Sequence, residues 1–467
     1  DQDRVTVQLT PGRHELRAMV LNYGGPGGLY FRELSQLPLP GGPVLAALHL
    51  DAAERDDVAA AALRADYRRR FDPAWAARQD QLETLSGDRR ELEAAIPTTM
   101  IMREMRRDHR RTYVLDRGDY DSPTHAVLPG VPAALPPLPF YSGVLHSRLD
   151  LARWLVSAEQ PLTPRVIVNR YWAMLFGRGL VATPADFGSQ GSYPTHPELL
   201  DWLAVEFRES GWDTRALLKT IVMSATYRQD SRADAAALAR DPGNLLLARG
   251  PRFRLSAEMV RDQALAASGL LVEKVGGPSV KPYQPPGLWR EVAYGGGNSA
   301  YTAGFYEQGR GEDLWRRSMY TFRKRSLPPP ALQVFDAPNR EVCMIERGRT
   351  NTPLQALVTL NDPTFLEAAR VLAEHALRRA TAEGEIAGFA ELMLRCTSRA
   401  PTAAEIEVLS DLLSKRRAHY AADPAAAAAY LEVGEAPRDM KLDEAALAAW
   451  ASVAGVVLNL DETLTRG

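Results

Sequence analysis

Cysteine is nearly absent: Cys343 and Cys396 are the only two in 467 residues. They are too far apart for a CxxC zinc or redox pair, and no CxxCH haem-attachment motif occurs. In an oxidising compartment they can form one disulfide; two separate buried thiols are the other reading. Long apolar runs are missing too, none reaching the roughly 18 residues that a membrane-spanning helix needs. Neither sign of charge is in excess, with 56 Lys and Arg against 58 Asp and Glu. No overall field therefore recruits nucleic acid or an anionic membrane. Histidine is rare, eight in all. No two stand at ligand spacing and HExxH is missing, so no metal motif is present, and a metal site would have to be assembled from distant segments. Lysine is scarce, so nearly all basic side chains are arginines, whose planar forks suit fixed ties to carboxylates. The arginine bias and the alanine runs at 59–62 and 425–429 also fit a GC-rich genome. An initiator Met and a signal peptide are missing, and the chain opens at Asp1 in strand-like sequence. The expectation is that further segments precede it.

What is present is ordinary globular chemistry, 45% hydrophobic and 24% charged, in a length that usually divides into roughly two or three domains. Residues 1–35 alternate Val5, Val7, Leu9 and then Leu16, Ala18, Val20 around the Pro11-Gly12 turn. They read as the end of a β-sandwich whose other strands lie upstream, or as a β-remnant packed on the main body. Residues 36–95 are rich in Ala, Arg and Glu and read as a helical connector. Residues 96–142 carry many prolines and little helical period, which predicts an extended segment laid over a domain surface. Beyond them the punctuation is helical. Thr163-Pro164 opens a helix that Gly177 ends. Thr195 to Glu198 and Thr402 to Glu405 have capping-box spacing. Asp213 and Ser256 open further helices, Asn361-Asp362-Pro363 joins two, and Glu444 to Leu460 is helical and apolar. Residues 275–312, rich in Gly, Pro and Tyr, read as an irregular excursion. The fold class expected is mainly α: a multi-helix domain with long irregular segments and a small N-terminal β-sandwich remnant.

Polar groups inside apolar segments are the candidates for chemistry. The helix over 164–176 is apolar on most sides, which predicts burial, yet it holds Asn169 and Arg170. A buried guanidinium needs a partner. Asp186, Glu198 and Asp201 are the nearest in sequence. The functional reading is an arginine–carboxylate site of Arg170, Asp186 and Asp201, with His196 as acid or base. The alternative is a structural ion network. His196 is placed in the first turn of its helix, where the N-terminal field favours the neutral ring. Glu258, Arg261 and Asp262 share a helix face, as local support or as one wall of the same cluster. Arg316, Arg317, Arg323, Lys324 and Arg325 form the densest basic patch, which suits an anionic polysaccharide, a haem propionate or plain solvation. Arg349 and Gln355 belong to a run of amides and hydroxyls at helix ends. The aromatics Tyr283, Trp289, Tyr294, Tyr301, Phe305 and Tyr306 suggest either a sugar-stacking lip or packing on the body. Ligand-binding candidates are therefore Asn169, Trp289, Tyr301, Arg317, Arg349 and Gln355. The Asp-Phe-Gly at 186–188 has no kinase companions, and Arg117-Gly118-Asp119 is too short to carry an adhesion function.

Four blocks carry a resemblance: RVIVNRYWAMLFGRGLVATPADFGSQGSYPTHPELLDWLAVEF (165–207); GPRFRLSAEMVRDQALAASGLL (250–271) with GGPSVKPYQPPGLW (276–289); residues 316–374, opening RRSMYTFRKRSLPPPALQVFDAPNREVC; and VVLNLDETLTR (456–466). RTYVLDRGDYDSPTHAVLPGVPAAL (111–135) precedes them. In this order they resemble the C-terminal helical domain of unknown function found in planctomycete proteins that carry a cytochrome-c-like domain, over residues 96–467. The resemblance implies an exported protein, periplasmic or at the cell surface. Its haem c would sit in an upstream domain of the same polypeptide, with no cofactor in this chain. It also implies that residues 1–35 end a carbohydrate-binding-type insert. The chain departs from the pattern at Arg323-Lys324-Arg325, where the family has Trp-Lys-Arg after Tyr-Thr-Phe, so any stacking role of that Trp is lost. Two functions follow as expectations: an accessory domain for polysaccharide oxidation or breakdown, and a non-catalytic glycan-binding or cell-surface scaffold module.

Overall fold

Helices begin and end where short polar residues and glycines punctuate the chain, because the unpaired amides and carbonyls at each end need partners. The computed structural model describes residues 42–103, 105, 110–139, 145–293 and 304–466. The expected β-sandwich end at 1–35 lies outside the described residues. The chain divides into two compact units at residues 108 and 109, whereas the sequence reading puts a junction at 95 and 96. Helices of seven or more residues are numbered here.

In the first unit, α1 (Gly42–Leu48), α2 (Asp57–Phe71) and α3 (Pro73–Ala95) follow one another. Asp56 caps α2 by accepting from the Ala59 amide, and Asp72 caps α3 by accepting from Trp75, with Pro73 at the first helical position.

The second unit opens on a hairpin rather than the extended strap expected. Strands β1 (Thr112–Leu115) and β2 (Pro123–Val127) pair antiparallel and leave all their residues exposed. Then come α4 (Arg148–Leu155), α5 (Thr163–Phe176), α6 (Pro197–Glu209) and α7 (Thr214–Met223). These are followed by strand β3 (Phe253–Arg254) and by α8 (Ala257–Ser268). The last group is α9 (Pro353–Asn361), α10 (Pro363–Glu383), α11 (Glu385–Thr397), α12 (Ala403–Ala422), α13 (Pro424–Leu431), α14 (Glu444–Leu458) and strand β4 (Thr465–Arg466). Among the described residues the only sheets are the hairpin and the β3–β4 pair, so the fold is mainly α.

Two apolar cores form. In the larger, α10 is central and packs against α8, α11 and α14. Its buried positions Phe365, Ala368, Ala369, Leu372, Ala373 and Ala376 recur at the three- and four-residue spacing of one helix face. Their small side chains let α14 come close, and Trp450 on α14 is fully buried against Phe389, ring centroids 5.0 Å apart. The smaller core joins α5, α6 and α7 through Val168, Trp172, Phe176, Leu200, Leu203, Phe207 and Ile221. Strand β3, which pairs with the C-terminal β4, runs between the two groups of helices in sequence.

The excursion between α8 and α9 is held by two buried arginines acting on carbonyls. Arg261 of α8 donates to the carbonyls of Leu314 at 2.5 Å and Arg316 at 2.9 Å and to Ser318 Oγ at 3.0 Å. Arg316 donates to the carbonyls of Lys274, Gly276 and Pro278 and lies over the Tyr320 ring. Carbonyls outside regular helices and strands need donors from elsewhere, and guanidinium forks supply them here. The capping box at α12 is present as expected, and Arg399 together with the Thr402 amide holds the Glu405 carboxyl at about 2. Cys343 is exposed and Cys396 buried, both as free thiols; burial pushes the Cys396 thiol up to about 12.

Candidate functional site

The turn after α5 builds the main concavity. Asn169, fully buried on α5, donates from Nδ2 to the Val181 carbonyl at 3.0 Å and accepts from the Val181 amide at 2.8 Å. This two-point clamp folds Gly177-Arg178-Gly179-Leu180 back across the helix end. Gly179 must lack a side chain, since a Cβ there would lie 2.6 Å from Asn169 Nδ2 and from the Val181 carbonyl. The Leu180 carbonyl in turn accepts from the Thr195 amide at 2.9 Å. Opposite, the loop leading into β3 turns on Asp241, whose carboxylate accepts the amides of Leu245 and Leu246. Between the two lies a cleft of about 350 Å³, within the roughly 300–1,000 Å³ usual for small-molecule sites.

Among the described residues, the charged side chains lining this cleft are Arg178, Arg249 and Arg252, and no carboxylate lines it. Trp172 and Phe176, stacked at 4.1 Å, form its apolar backing. Thr195 and Ser231 add hydroxyls. Arg249 is oriented by bonds to the carbonyls of Asp241 at 2.9 Å and Pro242 at 3.1 Å. Arg252 pairs with Asp461. Arg178 is exposed and has no hydrogen-bond or ion-pair partner among the described residues. Next to the lining residues, Arg349 donates to the Gly177 carbonyl at 2.7 Å and covers the Phe253 ring at 4.5 Å.

The residues singled out from sequence fall around this cleft and elsewhere, and several readings need correction. Arg170 is exposed, not buried. Successive helical residues turn by about 100°, so Val168, Asn169, Trp172 and Phe176 share the buried arc, and Arg170 falls on the far side near Met174. Asp201 pairs with Arg165 at 2.6 Å, which lowers its carboxyl below the usual range. Asp186 accepts the Gly188 amide in its own turn. His196 is itself the N-cap of α6, with Pro197 first in the helix, so the Thr195–Glu198 capping box does not form. Its Nδ1 lies 3.1 Å from Thr195 Oγ1. Among the described residues, no hydrogen bond or ion pair links Arg170, Asp186, His196 and Asp201 to one another.

Of the ligand-binding candidates, Asn169 supports the cleft from behind and Arg349 borders it. Gln355 is buried and donates to the carbonyls of Val334 and Thr350, both at 3.1 Å. Arg317 faces Asp262 at 3.5 Å. Trp289 is buried between Tyr306 and Phe322, with Lys324 over its ring, so it offers no open stacking face. Tyr301 and Tyr294 lie outside the described residues. The basic patch is likewise dispersed: Arg316 is buried on carbonyls, and Arg323 meets Glu258 at 3.1 Å and the Pro338 carbonyl. The sequence reading missed Arg178, Arg249 and Arg252. The available signal was arginine flanked by glycine in two turns, Gly177-Arg178-Gly179 and Arg249-Gly250-Pro251-Arg252.

Replacing Asn169 by Ala leaves the Val181 amide and carbonyl without partners in a dry environment, which costs about 2–3 kcal/mol. Urea unfolding of Asn169→Ala should show that loss, and limited proteolysis should open the chain at 177–183. A variant as stable as the parent removes the clamp from the account.

No curated protein and no solved structure matches the chain. A model of a family of proteins of unknown function, DUF1553, matches residues 147–413, more than half of the chain. The match takes in every residue that lines the cleft, while α14, which seals the larger core, lies beyond it. This chain belongs to the DUF1553 family of proteins of unknown function.

Proposed function

We propose that this chain is an accessory binding module of an exported, haem-c-linked protein that works on polysaccharide, and that it holds a saccharide in the arginine-rimmed cleft. The cleft itself carries the reading: about 350 Å³ with forked donors, hydroxyls and an apolar aromatic backing, the mixture that orients a polyhydroxylated ligand. The acid–base reading of Arg170, Asp186, His196 and Asp201 is less well supported, because each is exposed or occupied by a local partner. Haem belongs to an upstream domain in this proposal, since the chain has no CxxCH motif. Planctomycete origin and export rest on the resemblance of the four sequence blocks.

The test is a saccharide panel, neutral and acidic, titrated against the full chain by calorimetry, with Arg249→Ala as the cleft variant. Binding is expected for a subset of saccharides and is weakened in the variant. A folded chain that binds none of them overturns the proposal.

A further inference from the structure

The cleft is lopsided in charge, and the imbalance is built in. The Asp241 carboxylate holds the cleft's loop by accepting the amides of Leu245 and Leu246, and it does not line the cleft. Arg252 is answered by Asp461. Arg249 is oriented by the carbonyls of Asp241 and Pro242, and its charge lies close enough to the Asp241 carboxylate to help lower that carboxyl. Arg178 is answered by nothing among the described residues. At the border, Arg349 is held below the usual guanidinium range chiefly by burial and also by the neighbouring charge of Arg254. Of the three lining arginines, Arg178 is therefore the one whose charge has no carboxylate partner among the described residues.

From this we infer that the cleft is selective for an oxyanion carried on the saccharide, a carboxylate or a sulfate ester, and that Arg178 is the residue that reads it. The inference rests on the saccharide-binding reading above and names the ligand class. An arginine fork meets either oxyanion with two parallel bonds, whereas a lysine offers a point charge only. Arg249, already oriented by carbonyls, presents its remaining N–H groups without a further ordering cost. A neutral sugar in the same place leaves the cationic rim unanswered. The exposed position of Arg178 makes the interaction sensitive to salt, because charges open to solvent are screened over about 8 Å at physiological ionic strength.

The experiment titrates the full chain with an oligogalacturonide and with its fully methyl-esterified form, then with a sulfated galactan oligomer and its desulfated form, and finally with sodium sulfate alone. The acidic member of at least one pair should bind about tenfold or more tighter than its neutral partner, with affinity falling as salt rises. Arg178→Gln should abolish that preference, and Arg178→Lys should restore only part of it, both at unchanged melting temperature because the side chain is exposed. Equal binding of acidic and neutral partners overturns the anion selectivity and leaves the saccharide module standing. Binding of sulfate alone, with no saccharide bound, keeps the oxyanion site and overturns the module. No binding of any probe overturns both. A preference that survives in Arg178→Gln takes the reading role away from Arg178.

Discussion

Replacing Glu367 by Ala should lower the unfolding free energy by about 3–5 kcal/mol, the loss typical of stripping a buried charge site of one side. Glu367 is fully buried on α10 and forms no salt bridge among the described residues. Its carboxylate is instead surrounded by donors: Trp315 Nε1 at 2.8 Å, Tyr283 Oη at 3.3 Å, and the amides of Glu435 and Ala436 at 2.6 Å each. Those groups come from the excursion between α8 and α9 and from the loop between α13 and α14, so one side chain ties two irregular segments to the central helix. The site is also sterically closed. Gly434 has φ +96°, and a Cβ there would lie 2.5 Å from the Glu367 carboxyl carbon. Alanine at 367 removes the acceptor and leaves buried donors without partners, each costing about 1–3 kcal/mol. Glutamine keeps one oxygen and turns an amide N–H₂ toward other donors, so Glu367→Gln should fall between alanine and the parent. Urea unfolding of the full chain reads the order. An alanine variant within about 1 kcal/mol of the parent contradicts this account.

The second large effect lies at Trp450. Replacement by Ala should cost about 3–5 kcal/mol, the range for removing a large aromatic side chain from a close-packed interior. The indole is completely buried on α14, packed beside Phe389, and its Nε1 has no acceptor among the described residues. That orphan donor separates packing from polarity. Trp450→Phe loses some volume but also removes an unsatisfied N–H, so it should cost far less than Trp450→Ala. If the two variants are equally unstable, ring packing is not what this position contributes. The position also bears on where the domain ends. Helix α14 lies beyond the residues matched by the family model, yet it fills the core between α10 and α12. A folding unit cut at residue 413 would expose the small-residue face of α10.

Much of the helical framework is legible in the residue order, for reasons confined to a few neighbours. Gly177 ends α5 in the left-handed conformation, Asp213 accepts the amides of Arg215 and Ala216, and Thr402 and Glu405 close their box around α12. These are contacts within four residues, and short polar side chains make them almost independently of the rest of the chain. The 195–198 segment is the instructive exception. It has the spacing of a capping box, but Thr195 donates its amide to the Leu180 carbonyl, and the helix starts one residue later, from His196.

The candidate site was less legible because its partners are distant in sequence or depend on a helix's rotation. An apolar helix with one embedded arginine reads as a buried cation, and only the packing direction of α5 shows that Asn169 turns inward while Arg170 turns out. The five clustered basic residues at 316–325 read as one patch. In space they separate, because Arg316 is drawn to the carbonyls of 274–278 and Arg323 to Glu258.

Composition and local order by themselves determined that this is a mainly helical chain, marked helix ends such as those at Gly177, Asp213 and Thr402, and showed that no apolar run suffices for a membrane-spanning helix; each follows from short-range hydrogen bonding and hydrophobic period. The tertiary structure alone decided which arginines answer carboxylates, which answer carbonyls, and which, like Arg178, are left facing a cleft. That choice depends on the burial and distance of groups many residues apart, and sequence spacing does not encode either.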